Sequence, residues 1–302
     1  MPCGHQYRTA QFNIMKVQLG TANLLRRYGI QKNRFELTPS NVEAFLRLLS
    51  ENQEVTLDTA PSYGNAQEVI GQLVKNGLKN GVSTKVSPEC YGDEHLILES
   101  VTKSKSVTNV IQFDSVLLHG VQDVEKIDFR ILRGALNQLL SRNLSRKVGV
   151  SCYTEREIEI FAREIPFLNV FQVPENILDQ RLISSPVLNY LADIGKEIFV
   201  RSIFLQGILL RSVNDLPREL SDLKPFVVKV ESFSNEIGIS KLELLINYVK
   251  SIPWASGMVI GVDRLEEFSE ILHVTKKPLR VCEFREFKSK SSLIDPRTWK
   301  GV

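Results

Sequence analysis

No apolar run in this chain approaches the ~20 residues that a membrane-spanning helix requires, so no membrane partner is expected. Nor does the stretch from Met1 to Ile14, which holds Pro2, Cys3, Gly4, His5 and Arg8, contain the apolar core of a secretory signal. It reads as an N-terminal extension, residues 1–14, ahead of a single folded domain over 15–302. Cysteine is scarce: Cys3, Cys90, Cys152 and Cys282 lie far apart, with no CxxC pair and no Cys/His cluster, which speaks against a zinc site or a disulfide framework. A cytoplasmic protein with no bound metal is the expectation. Neither sign of charge dominates, with 38 basic and 35 acidic residues and a net charge of +3. No overall field therefore argues for a nucleic-acid partner, although a pI of 8.6 leaves room for a local anion site. A Gly-x-Gly-x-x-Gly fingerprint after the first strand-like run is also missing, which weakens an open, doubly wound dinucleotide fold.

The 302 residues, 43% apolar and 24% charged, have the composition of a soluble globular protein and suit one α/β barrel of roughly 250 residues with insertions. Short strand-like runs alternate with helical stripes. Strands are expected at Lys16 to Gly20, in a run ending at Leu57, and at Gly81 to Val86, Phe113 to Leu118, Val148 to Ser151, Val170 to Val173, Ile198 to Ser202 and Met258 to Gly261. The stripe Val42, Phe45, Leu46 and Leu49 follows the helix-start pair Thr38-Pro39, and Ile131, Leu132, Ala135, Leu136 and Leu139 form another. A longer insert follows the seventh strand, and then two helical stretches, the second opened by a Ser240/Glu243 capping box. Asp263 and Glu266 are expected to cap the last helix, Leu265 to Leu272, and Lys276 onward reads as a polar tail. Eight repeats favour closure, so the expected fold class is α/β, a (β/α)8 TIM barrel.

In such a barrel the C-terminal ends of the strands share one mouth. Asp58 and Tyr63 leave the second strand together, Lys85 lies in the third, His119 follows the fourth, Ser151 ends the fifth and Gln172 sits in the sixth. Each has an ordinary alternative: a helix start at Asp58, a snorkelling Lys85, a turn histidine, a backbone-bonded glutamine. Their recurrence at equivalent positions points to a site instead.

From Lys16 to about Leu272 the chain resembles the aldo-keto reductase superfamily. The resemblance is carried by Leu19-Gly20-Thr21-Ala22, Leu57-Asp58-Thr59-Ala60-Pro61-Ser62-Tyr63-Gly64, Ser83-Thr84-Lys85, Leu117-Leu118-His119-Gly120, Val148-Gly149-Val150-Ser151, and Gln172 with Asn176. The stretch Val200 to Gly207 and the ending Asp295-Pro296-Arg297-Thr298-Trp299 resemble bacterial members associated with surface-polysaccharide genes.

The resemblance implies an NAD(P)H-dependent reductase of a small-molecule carbonyl, with a sugar or sugar nucleotide as one candidate substrate. Asp58, Tyr63, Lys85 and His119 match the catalytic tetrad. Hydride transfer puts negative charge on the carbonyl oxygen, so a proton donor and hydrogen bonds must wait beside it. Tyr63 is the donor, Lys85 is expected to lower its pKa, Asp58 to hold Lys85, and His119 to orient the substrate. The cofactor would lie along Gly20, Thr21, Ala22 and Asp58. Ser151 and Gln172 would hold its carboxamide, and Arg201, Ser202, Gln206, Gly207, Gly261, Val262, Asp263 and Arg264 would line its remainder.

Four positions depart from the family pattern. Gly261 and Glu267 stand where relatives that prefer NADPH often carry lysine and arginine, which leaves Arg264 as the nearby cation for a 2′-phosphate; the expected cofactor is NADP or NAD, with NADPH favoured. Arg201 replaces a stacking aromatic, where it would stack on the nicotinamide or bind a substrate phosphate. Glu175 takes a commonly apolar mouth position, where it would contact a hydroxylated substrate or remain a solvated carboxylate. The rival readings are a catalytically idle nucleotide-binding regulatory barrel, and a two-carboxylate barrel hydrolase using Asp58 and Glu175. Oligomeric state is not legible at this level.

Overall fold

A computed structural model of the chain describes residues 15–22, 39–120, 123–280 and 282–299. The extension 1–14, with Cys3, and the helix-start residue Thr38 lie outside the described residues. Eight strands follow in order: β1 (Lys16–Gly20), β2 (Thr56–Asp58), β3 (Val82–Val86), β4 (Phe113–His119), β5 (Ser145–Ser151), β6 (Val170–Pro174), β7 (Glu197–Arg201) and β8 (Gly257–Gly261). Each pairs in parallel with its successor, and β8 closes on β1. The fold is the expected (β/α)8 barrel. Its helices are α1 (Pro39–Ser50), α2 (Ala66–Lys75), α3 (Glu94–Thr108), α4 (Phe129–Ser141), α5 (Glu155–Glu164), α6 (Pro186–Asp193), α7 (Lys224–Glu236), α8 (Lys241–Lys250) and α9 (Leu265–Lys276). No described helix is long and apolar enough to cross a membrane.

The main core lies between the strands and the helices, because alternate strand residues point outward to meet the apolar stripes. Helix α2 shows the logic: Val69, Ile70 and Leu73 share one face and are buried, each contributing roughly 1.5–3 kcal/mol. A second, small cluster of Leu117, Val170 and Phe199, with Val259 packed on it, fills the barrel interior. The interior is tight at Gly149, where an added Cβ would lie 2.2 Å from the Val170 carbonyl oxygen. A side chain there would push β5 and β6 apart.

Helix α3 is the element that apolar periodicity does not announce. Its buried face alternates Ile97 and Val101 with the small polar Ser104 and Thr108, whose hydroxyl donates to the Ser104 carbonyl. The signals present are at its ends: Asp93 accepts the His95 amide at the start, and Asn109 adopts φ 55 at the stop.

Two expected caps are corrected. At α8, Ser240 accepts the Glu243 amide at 3.1 Å, but the Glu243 carboxylate accepts from Lys277 at 2.6 Å instead of returning to the helix start. The complete capping box is at α5, between Thr154 and Glu157. At α9 the N-cap is Arg264, which makes no side-chain cap, and Glu267 rather than Glu266 reaches back, accepting the Asp263 amide at 3.0 Å.

The segment beyond α9 is part of the fold and not a polar tail. Phe284 and Phe287 are buried, and Ser289 donates its amide to the Leu178 carbonyl at 2.9 Å. Two aromatics three residues apart anchor the segment, and they were its sequence signal.

Candidate active site

A cavity of about 760 Å³ opens at the C-terminal ends of the strands, within the usual size range of small-molecule sites. The strand register explains what faces it. His119 on β4 pairs with Ser151 on β5, and Ser151 with Gln172 on β6, so three polar residues occupy one level of the rim. Across the barrel, Asp58 closes β2 opposite Gly20 of β1. The chain then turns at Gly64, φ 65, to enter α2, which leaves Tyr63 over the mouth. The side chains of His119, Ser151, Gln172, Asp58 and Tyr63, with Lys85, line the cavity.

Lys85 is 3% exposed and Asp58 also 3%, and the Lys85 ammonium donates to Asp58 Oδ2 in a buried ion pair. Lys85 Nζ lies 3.3 Å from the Tyr63 hydroxyl and 5.1 Å from its ring centroid. The imidazole of His119 meets the Tyr63 ring edge-on, with centroids 5.8 Å apart. Asp58 Oδ1 accepts from Gln172 at 2.8 Å, so both carboxylate oxygens are engaged. Sequence positions from 58 to 172 thus meet in one hydrogen-bonded group.

The electrostatics differ from expectation at Tyr63. Burial raises the phenol above its ordinary value, and the nearby Lys85 cation, which works to lower it, does not prevail. Tyr63 therefore carries its proton at neutral pH. Burial works to lower the Lys85 value, but the Asp58 carboxylate and Tyr63 offset it and hold the ammonium charged. His119 is pushed down to about 4 by burial and by the Lys85 charge, so its imidazole is neutral at pH 7.

The opposite wall contains the loop after β7 and the start of α9. Ser202, Leu205 and Gln206 adopt φ values of 62, 48 and 52, and Gly207 of 84, a left-handed series that curls the backbone beside the cavity. Ser202, Gln206, Gly207, Gly261, Val262, Asp263 and Arg264 all line it, as do Gly20, Ala22 and Arg201. Thr21 does not. It is buried, and both its amide and its hydroxyl donate to the Asp58 carbonyl, so it braces the β1 and β2 ends. Arg264 is engaged by Glu267, Nε to Oε1 at 3.0 Å.

Glu175 is the clear correction. It is fully buried behind the rim and does not line the cavity; its carboxyl accepts from the Tyr248 hydroxyl at 2.6 Å and from the Leu182 amide at 3.0 Å. Neither substrate contact nor a two-carboxylate hydrolase with Asp58 is compatible with that position. Burial pushes Glu175 up to about 8 from the usual 4.5. Between those values the folded chain holds a proton that the unfolded chain releases, so stability falls as pH rises from 4.5 through 8. Replacing Glu175→Gln, which mimics the neutral acid, should leave the melting temperature closest to wild type at pH 5 and raise it relative to wild type by several degrees at pH 9. A gap that stayed constant across thermal scans at these pH values would show Glu175 to be ionised throughout.

Missed by sequence reasoning are Tyr153, Asp179 and Arg181, and the segment Ile294 to Arg297, all of which line the cavity. Tyr153 lies two residues past Ser151 and was within reach of the strand-end logic. The Arg297 guanidinium sits 3.6 Å from the Tyr153 ring centroid, a contact across more than a hundred residues that no local pattern announces.

Among the described residues, no group of three or more His, Cys, Asp or Glu side chains is placed to hold a metal ion. A model of the Aldo/keto reductase family matches residues 16–292. A search of curated proteins returned no match. Among solved structures the chain is similar to an aldo-keto reductase from Bacillus halodurans in its holo form, with TM-score 0.72 and 16% identity over 90% of each chain. It is also similar to a thermostable aldo-keto reductase in complex with the inhibitor epalrestat, with TM-score 0.69 and 18% identity over 90% of this chain and 93% of that one. At such identities the likeness to these structures concerns the fold. The family match runs from β1 through the segment beyond α9, and on it the chain belongs to the aldo/keto reductase family, as an oxidoreductase of that superfamily.

Proposed function

We propose that the protein reduces an aldehyde or ketone with NADPH or NADH, Tyr63 donating the proton. The observation that carries this reading is the convergence of Asp58, Lys85, Tyr63 and His119 on one cavity, with the ammonium 3.3 Å from the phenol. A bound nicotinamide would supply the hydride, which no side chain can. Tyr63 enters the reaction protonated, and an alkoxide is a stronger base than phenolate, so its raised pKa does not oppose the transfer. Lys85 stabilises the phenolate that remains, and Asp58 with Gln172 keeps Lys85 aimed at it. The neutral His119 donates a hydrogen bond to the carbonyl oxygen and orients it.

The residues present fit a nicotinamide dinucleotide. Both amide hydrogens of Gln172 are taken, by Gln18 at 2.9 Å and Asp58 at 2.8 Å, which leaves its carbonyl oxygen as an acceptor for a carboxamide beside Ser151. The N-cap of α9, Arg264, spends no side-chain hydrogen bond on the helix start, where backbone amides would meet a phosphate, and the left-handed loop 202–207 also lines the cavity. We propose a sugar or sugar-nucleotide carbonyl as the substrate class, a reading supported only by the sequence resemblance of Val200 to Gly207 and Asp295 to Trp299 to surface-polysaccharide-associated members.

Fluorescence titration of the purified protein with NADPH and NADH, followed by a carbonyl panel that includes keto-sugar nucleotides, tests the reading. Sub-millimolar binding that survives a chelator, with turnover of at least one carbonyl, is expected. Failure to bind either nucleotide would end the proposal, and binding without turnover would favour a regulatory barrel.

Arg264 bears on the choice of nucleotide, since a 2′-phosphate needs a cation and this guanidinium stands at the start of α9. Arg264→Ala should weaken NADPH several-fold more than NADH in the same titration. Equal losses would put the 2′-phosphate elsewhere.

A further inference from the structure

Among the described residues four guanidiniums line the cavity, and three of them already have carboxylate partners. Arg181 makes a fork with Asp179 at 2.7 and 2.7 Å, Arg297 with Asp295 at 2.9 and 2.5 Å, and Arg264 is engaged by Glu267 at 3.0 Å. Arg201, the last residue of β7, has none. Among the described residues its guanidinium donates from Nη2 to the Cys152 carbonyl at 3.3 Å, and its Nε is buried with no partner. The Tyr153 ring, with its centroid 4.1 Å from the Arg201 guanidinium carbon, packs on that group and holds it in place. The other cation of the mouth, Lys85, is paired with Asp58, and the carboxylates of Asp263 and Glu270 lie on the α9 side of the lining.

Arginine keeps its charge at any pH the fold survives, and a desolvated guanidinium with open donors recognises a carboxylate or phosphate through paired, charge-assisted hydrogen bonds. A neutral substrate closing over Arg201 would strip its water and return nothing. An anionic one would complete it. We infer that Arg201 is the specificity-determining residue of this site and anchors an oxyanion, carboxylate or phosphate, carried by the carbonyl substrate itself; this rests on the reductase reading. Its field also reaches the reacting groups, since the Arg201 charge is felt at both Tyr63 and His119. Nucleotide phosphates are provided for separately, at loop 202–207 and the start of α9.

The test compares 4-carboxybenzaldehyde and 4-formylphenyl phosphate with the neutral 4-nitrobenzaldehyde, each at saturating NADPH, for wild type, Arg201→Met and Arg201→Lys. The readout is the ratio of kcat/KM for an anionic aldehyde to that for the neutral one, which cancels any loss common to both. Wild type should favour an anionic aldehyde, and Arg201→Met should lower the ratio about 10-fold or more, the span of a hydrogen bond to a charged group. Which of the two anionic aldehydes shows the larger drop identifies carboxylate or phosphate. Arg201→Lys, which keeps the charge without the fork, should fall between, and it carries the test if Arg201→Met does not fold. An unchanged ratio, or a loss of NADPH affinity in place of selectivity, would overturn the assignment. Should wild type reduce none of these aldehydes, calorimetric titration with benzoate and phenyl phosphate decides the matter without turnover. Anion binding that disappears in Arg201→Met upholds the anchor independently of turnover, and no anion binding by wild type removes it; the reductase reading itself stands or falls on the nucleotide titration.

Discussion

Tyr63→Phe should lower turnover by ~10²-fold or more, the range for loss of a general acid, while nucleotide affinity and melting temperature stay close to wild type. The substitution deletes one hydroxyl and keeps the ring that meets His119 edge-on, so packing is preserved. The hydroxyl accepts from Lys85 at 3.3 Å, a long bond whose loss costs little because the ammonium retains Asp58. A tyrosine serving only to pack would make the opposite forecast, with activity nearly unchanged. Steady-state kinetics on the best substrate found, set beside a nucleotide titration, separates the two outcomes. A variant reducing that substrate at a near wild-type rate would refute the donor role even with the barrel and the nucleotide both in place.

Lys85→Met should be costlier still, because it acts on stability as well as chemistry. Asp58 is 3% exposed, and without the ammonium its carboxylate would be left buried with the Gln172 amide as its side-chain donor. Breaking a buried ion pair from one side typically costs about 3–5 kcal/mol. Turnover should fall at least as far as in Tyr63→Phe, since the phenolate left after proton transfer loses its cation. The two effects can be pulled apart with Lys85→Met combined with Asp58→Asn, which removes the stranded charge. Denaturant unfolding should show the double variant recovering roughly 2 kcal/mol or more relative to Lys85→Met, with turnover still abolished. A Lys85→Met protein as stable as wild type would mean that Asp58 is satisfied in some other way.

Much of the site was legible because barrel topology converts chain position into spatial position. Once eight strands alternate with helices, a polar residue at a strand end must face the common mouth, and Asp58, Lys85, His119, Ser151 and Gln172 could be gathered without any contact being known. Helix α3 escaped because Ser104 and Thr108 on its buried face interrupt the apolar stripe on which such reading depends. Glu175 was misplaced for a related reason. It follows β6 directly, where sequence position implies the mouth, but its partners Leu182 and Tyr248 draw it behind the rim.

The sequence by itself determined the barrel and the order of its strands, which follow from periodicity, and it put Asp58, Lys85 and His119 at strand ends; grouping them with Tyr63 as a tetrad is what the family resemblance implied. Tertiary structure decided how those groups are charged and what surrounds them. Whether Lys85 lowers the Tyr63 pKa depends on burial competing with a cation, and burial depends on every neighbour at once. Whether an arginine in the mouth is open depends on which carboxylate lies near it: Asp179 for Arg181, Asp295 for Arg297, Glu267 for Arg264, and none for Arg201. All three pairs lie within three residues of each other in sequence, yet they acquire meaning from the cavity they share, because Arg297 arrives over Tyr153 from the far end of the chain. Solvent exclusion and long-range pairing belong to the folded chain as a whole, and no local pattern encodes them.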